Sequence, residues 1–233
     1  MITLYQTAPA FGLLNASPFC MKLEAFLRWQ NIPYTTTFAL PDQGPSQQIP
    51  FIDYQGQKLG DSNAIIYQLI EDMNLDTGSQ LDWSYGVAFQ RVVEDHLYWI
   101  MVYFRWMDDE IWPALRETFF AIVPEPQREA IAEQAREYMK QKLHLQGISR
   151  LPEEMMKAAA NADLKALSSH LSQQPFICGH EMSHFDLAVW AMLSQLISSS
   201  LVIQLTPLAQ QYPVLQTYID RVSEVISQGT KTL

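Results

Sequence analysis

The run Asn15-Ala16-Ser17-Pro18-Phe19-Cys20 carries the residue types with the clearest chemistry. Serine followed by proline suits the N-cap and first turn of a helix. The open start of a helix carries partial positive charge and favours an anion. A thiolate is such an anion. A free thiol titrates at about 8.5, so a hydroxyl donor at Ser17 acting with the helix terminus would leave a bound thiol substantially ionised near neutral pH. Ser17 also serves as a plain helix cap, and the two roles are compatible. Cys20, one turn further on, reads either as an activated thiol or as a buried inert one, and the adjacent Phe19 favours the second.

Two other positions complement the first. Ile49-Pro50-Phe51 places a proline at the start of a strand. A cis bond there would present the backbone of Ile49 outward, where a short peptide could dock as an added strand, whereas a trans bond would make it an ordinary turn. Asp61-Ser62 opens a helix, where backbone N–H groups and the Ser62 hydroxyl could hold a carboxylate; capping by Asp61 is the alternative. His180-Glu181-Met182-Ser183-His184 matches H-E-x-x-H, a zinc motif that requires one continuous helix through both histidines. Gly179 and the S-x-x-D pattern of Ser183 and Asp186 instead start the helix after Ser183, so no metal site is expected.

The elements that must position these residues follow from periodicity. Residues 2–6 alternate as a strand; Phe19, Leu23, Phe26 and Leu27 form one helical face with Lys22, Glu24 and Arg28 off it. Tyr34 to Phe38 is β-rich, and Phe51 to Tyr54 with Lys58 to Leu59 flank a turn at Gln55-Gly56. Ile65, Ile66, Leu69, Ile70 and Met73 keep helical spacing after Asp61. This β-α-β, β-β-α order predicts an α/β thioredoxin-like domain over residues 1–75, followed by a linker over 74–82 and an all-α domain over 83–233. Within the latter, Phe89, Val92, Val93, Leu97, Ile100 and Phe104 make one stripe of a single helix, and Trp99, Tyr103 and Trp106 a second. Arg128 to Leu145 reads as an exposed charged helix, Met155 to Leu171 as another, and Phe185 to Leu196 as a core helix.

Bulk properties narrow the function classes. With 15 basic against 25 acidic residues the formal charge is −10, which repels nucleic acid and anionic lipid. The longest apolar stretch, Tyr98 to Phe104, is far short of the roughly 20 residues a spanning helix needs. Two cysteines and an opening MITLYQTAPAF without a charged n-region or a long apolar run predict a cytoplasmic protein.

The segments FGLLNASPFCMKLE, PFIDYQGQKLGDSNAIIYQL, FQRVVEDHLYWIMVYFRW and PFICGHEMSHFDLAVWAML together resemble the glutathione transferase superfamily, particularly its branch of metaxins and failed-axon-connections proteins. The resemblance runs along almost the whole chain. It implies a glutathione-transferase fold and glutathione as co-substrate, with no cofactor. The family's catalytic position falls on Ser17, its thiol-contacting backbone on Ile49 before Pro50, and its γ-glutamyl contacts on Asp61 and Ser62. Its pocket for a small hydrophobic electrophile, between the domains, would draw on Phe11, Leu13, Trp99, Tyr103 and Trp106, although apolar residues at helical spacing also serve as core. Residues 38–49 contain no lysine or arginine where the family often meets the glycyl carboxylate, which leaves Gln47 or Gln48 to bind it more weakly. A homodimer is the family's common assembly. Two alternatives stand beside the transferase: a non-catalytic binding or scaffold protein, and a glutathione-dependent thiol reductase using Cys20.

Overall fold

The computed structural model describes residues 1–78 and 82–229; residues 79–81, inside the expected linker, lie outside the described residues. Strand β1 (Ile2–Gln6) leads through a loop to helix α1 (Pro18–Trp29), which crosses over to β2 (Tyr34–Phe38). Strands β3 (Phe51–Tyr54) and β4 (Gln57–Gly60) form a hairpin, and α2 (Ser62–Met73) follows. The four strands are ordered β2-β1-β3-β4, with β1 parallel to β2 and antiparallel to β3. Leu4 and Ile52, paired across β1 and β3, are fully buried, as is Phe51.

The helical part begins with α3 (Trp83–Arg91). It continues through a π-helical turn over Val92–Leu97 into α4 (Tyr98–Trp106), then α5 (Trp112–Phe119), α6 (Glu125–Gln146) and α7 (Glu153–Leu171). Helices α8 (His184–Ile197), α9 (Thr206–Gln210) and α10 (Pro213–Gly229) complete it. Helix α8 is buried along its length, with Phe185, Leu187, Val189 and Leu193 inaccessible to solvent. A Cβ at Gly86 would lie 2.4 Å from the Phe185 ring, so glycine lets α3 approach α8. Among the described residues no helix is long and apolar enough to cross a membrane.

Two features depart from the periodicity reading. The single helix expected from Phe89 to Trp106 is interrupted by the π-helical turn, in which the Tyr98 N–H reaches the Val93 carbonyl five residues back. Lys22 and Glu24 are also not on a solvated face: they are 1% and 5% exposed. The reason is tertiary. Helix α1 packs against α8, α10 and α2; Lys22 meets Glu94 of the helical domain, while Glu24 accepts from Gln6, Arg28 and Tyr34 inside the first domain.

Candidate functional site

The strand register gathers the three sequence-predicted corners at one end of the sheet. Phe51 lies opposite both Tyr5 and Gly60, so Ile49-Pro50 and Asp61 flank the place where β1 runs out toward Ser17. The Ile49–Pro50 peptide bond is cis, and Ile49 lies beyond the β1–β3 ladder, half-buried beside an exposed Gln48.

Ser17 is the N-cap of α1, with extended backbone at φ −93° and ψ 124°, and its Oγ accepts the Cys20 N–H at 3.4 Å. That contact is long for a cap, and no acidic residue occupies the first turn. Ser17 itself is half-buried, and the first turn of α1 carries no counter-charge. Below it the loop is fixed. Asn15 is fully buried; its Oδ1 accepts the Thr7 hydroxyl at 2.8 Å and the Ser17 N–H at 3.0 Å, and its Nδ2 donates to the Thr7 carbonyl at 2.6 Å. Arg105 Nη1 donates to the Ala16 carbonyl at 3.1 Å and Gln195 Nε2 to the Asn15 carbonyl at 2.8 Å, so α4 and α8 hold the loop from behind.

Cys20 lies inside this support. Burial pushes its thiol up to about 12 against a smaller downward pull from the Ser17 hydroxyl, which is the environment of an inert cysteine and not of an activated one.

At the second helix start Asp61 adopts φ 65° and its Oδ1 accepts the N–H groups of Asn63 and Ala64, each at 2.9 Å. Capping by Asp61 is thus realised, through the Asn63 and Ala64 N–H groups. Ser62 itself is buried. Directly beneath, Lys22 Nζ meets Glu94 Oε1 at 2.5 Å and Asn63 Oδ1 at 2.7 Å, while Asn63 Nδ2 reaches Glu94 Oε2 at 2.8 Å and Gln90 also donates to Asn63. Burial lowers the Lys22 pKa and Glu94 opposes the effect. This cluster ties α1 and α2 to α3 and the π-helical turn.

The five residues expected to form a second-substrate pocket are spread out. Leu13 lines a groove of about 500 Å³ with Met21, Glu24, Trp190 and Ile219, and the Phe11 carbonyl accepts the Ser200 N–H at 3.0 Å. Tyr103 lines a different groove of about 900 Å³ with Met107, Arg136 and Lys140, and donates to Glu153. Trp106 packs against Trp112 and Phe119. Of the five, Trp99 is the one linked by ring contacts toward Ser17, through Tyr98 (5.3 Å) to Phe19 (4.9 Å).

The zinc-like motif is a different object. Helix α8 starts at His184, and Asp186 folds back to accept the Ser183 N–H at 2.8 Å and hydroxyl at 2.7 Å as a capping box. His180 is exposed in the preceding loop. His184 is buried between Tyr67, Trp83 and Phe185, and burial first, then Lys22, lowers its pKa to about 4.

A thioredoxin-like sheet with a cis-proline corner, an open serine-capped helix and a helical second domain defines the glutathione-transferase class. Sequence comparison agrees: residues 18–111 match the glutathione S-transferase N-terminal domain and residues 160–222 the glutathione S-transferase C-terminal domain. The isoprene-epoxide glutathione S-transferase of Rhodococcus sp. is 30% identical over 95% of this chain and 98% of its own length. Failed axon connections of Drosophila melanogaster is 28% identical over 84% of this chain, which spans 50% of that longer protein. Among solved structures, glutathione S-transferase III superposes with a TM-score of 0.65 at 13% identity, covering 99% of this chain and 95% of that one. The β-etherase LigF from Sphingobium superposes with a TM-score of 0.63 at 15% identity, covering 100% and 99%. The chain belongs to the glutathione S-transferase family.

Proposed function

We propose that the protein binds reduced glutathione along the β3 edge and α2 start, stabilises its thiolate with Ser17 and the α1 terminus, and adds it to a small hydrophobic electrophile. The observation that supports this most is the cap at Ser17, long on its acceptor side and without an acid in its first turn. On this reading Ile49 offers its backbone to the cysteinyl part of the tripeptide, Ser62 and Asp61 receive the γ-glutamyl end, and Gln48 the glycyl carboxylate. Phe19, Tyr98 and Trp99 are the apolar surface on the thiol side, and the Rhodococcus relative makes an epoxide the first electrophile to try. No bound cofactor is required. A cytoplasmic location and a homodimer belong to the same reading; the exposed Tyr67, Trp83 and Tyr85 form the face a second copy would cover.

The absence of lysine and arginine from residues 38–49 favours a second reading, a non-catalytic binding protein with the same fold. The reductase reading is disfavoured by the burial of Cys20. Calorimetry with reduced glutathione followed by an epoxide conjugation assay separates them. Millimolar or tighter binding is expected, with a rate loss of roughly 10²-fold in Ser17→Ala. Binding without turnover would select the second reading, and no binding would overturn both.

A further inference from the structure

Arg105 is out of place by the ordinary rules for buried charge. It is 3% exposed, in the last turn of α4, in a chain with ten more acidic than basic residues. Arg28, Arg91, Arg116, Arg128 and Arg136 are all more exposed, and each reaches a carboxylate. Arg105 reaches none among the described residues. Its partners are neutral: Nη1 donates to the Ala16 carbonyl at 3.1 Å, Nη2 to Gln195 Oε1 at 2.7 Å and to the Gln195 carbonyl at 3.3 Å, and Nε is buried without a partner. An uncompensated buried charge is costly. Apolar residues would fill the space more cheaply, so its position needs a reason.

The Ala16 carbonyl supplies one. It belongs to the peptide group whose other end is the Ser17 N–H, held by Asn15 Oδ1 at 3.0 Å. Arg105 and Asn15 thus clamp one peptide plane at both its polar atoms. That plane sets the backbone of Ser17 and the direction of its hydroxyl. Glu24, further along α1, is the carboxylate felt at Cys20, and the titratable group felt at Arg105 is Tyr98. Burial pushes Tyr98 up to about 12 and Cys20 up to about 12, so both are neutral across the working range. Burial also draws Arg105 itself down to about 10, which leaves it charged at neutral pH.

We propose that Arg105 is a positioning residue of the glutathione site: its grip on the Ala16 carbonyl fixes Ser17, and its uncompensated charge adds to the α1 terminus in drawing the bound thiol toward its ionised form. This rests on the glutathione reading above. A unit charge roughly 10 Å from a thiolate, at an effective dielectric of about 20, is worth about one pH unit in the thiol's ionisation.

The test compares substitutions that separate charge from hydrogen bonding. Arg105→Gln keeps a donor for Ala16 but no charge, Arg105→Met removes both, and Arg105→Lys keeps the charge. Thermal unfolding identifies the folded variants, and either neutral variant that folds serves. The readouts are the pH profile of kcat/KM and the thiolate absorbance of bound glutathione. The neutral variants should raise the apparent thiol pKa by about one pH unit and cost roughly tenfold in kcat/KM on the acid side, with recovery at alkaline pH and glutathione affinity within about threefold of wild type. Arg105→Lys should keep the wild-type pKa. Neutral and lysine variants that titrate alike would overturn the role of Arg105 while leaving the glutathione site intact. A wild type that binds no glutathione would overturn the site itself.

Discussion

Helices α1 and α8 both begin at a serine, and the two starts are built oppositely. At α8 the Asp186 carboxylate occupies the positive end, taking the N–H and hydroxyl of Ser183, the Ile177 N–H at 2.8 Å and the Tyr218 hydroxyl at 2.8 Å, with every partner buried or nearly so. At α1 no carboxylate lies in the first turn, and Ser17, half-buried, caps at 3.4 Å. The same residue type is architectural where its helix end is already neutralised from within, and available for a ligand anion where it is not.

The largest expected effect is at the closed start. Asp186→Ala strands the Ile177 and Ser183 N–H groups and the Tyr218 hydroxyl, and should cost about 4 kcal/mol in urea unfolding, a large part of a typical domain's stability. Ser17→Ala should cost under about 1 kcal/mol in the same experiment, because its cap is long. Equal losses would dissolve the contrast.

The second effect is pH-dependent and belongs to α8 as well. His184 titrates near 4 in the folded protein and at its ordinary value of 6.5 when unfolded. The unfolded chain takes up the proton first as pH falls. Stability is therefore full above about pH 6.5 and declines toward pH 4, by up to about 3 kcal/mol. Unfolding measured across that window should show the slope in wild type and lose most of it in His184→Phe. A slope unchanged by the substitution would assign it to other groups.

Gly86→Ala sharpens the same region. Its Cβ would meet the Phe185 ring at 2.4 Å, so α3 must shift from α8 at a cost of about 1–3 kcal/mol in thermal unfolding, without a change at Ser17. The smallest expected effect is a null one: in the native protein neither Cys20 nor Cys178 should react with an aromatic disulfide reagent, since burial pushes their thiols up to about 12 and 11. Fast labelling of Cys20 would revive the reductase reading.

What the sequence made legible was local. Ser17-Pro18, Asp61-Ser62, the hairpin turn at Gln55-Gly56 and the Ser183/Asp186 box are each decided within a few residues, and each stands where pattern reading puts it. The choice of cis at Pro50, open in sequence, depends on the sheet it borders. What escaped is long-range. Lys22 and Glu94 lie 72 positions apart, and Arg105 and Gln195 reach the Asn15–Ser17 loop across about 90 and 180. Lys22 looked solvated because one helix cannot reveal that a second domain will cover its polar face. Asn15 is the exception with a local signal, since an asparagine side chain commonly folds onto the backbone two residues on, as Asn15 Oδ1 does to the Ser17 N–H. The dispersal of Leu13 and Tyr103 into separate grooves has no counterpart in helical spacing, which gives a face but not the neighbour across it.

The most direct test of an open, ligand-ready α1 terminus is a crystal structure with reduced glutathione. The expected result is sulfur within hydrogen-bond reach of Ser17 Oγ, cysteinyl backbone paired with Ile49, and the γ-glutamyl carboxylate on the Ser62 N–H. Glutathione bound with its sulfur away from Ser17 would contradict the account.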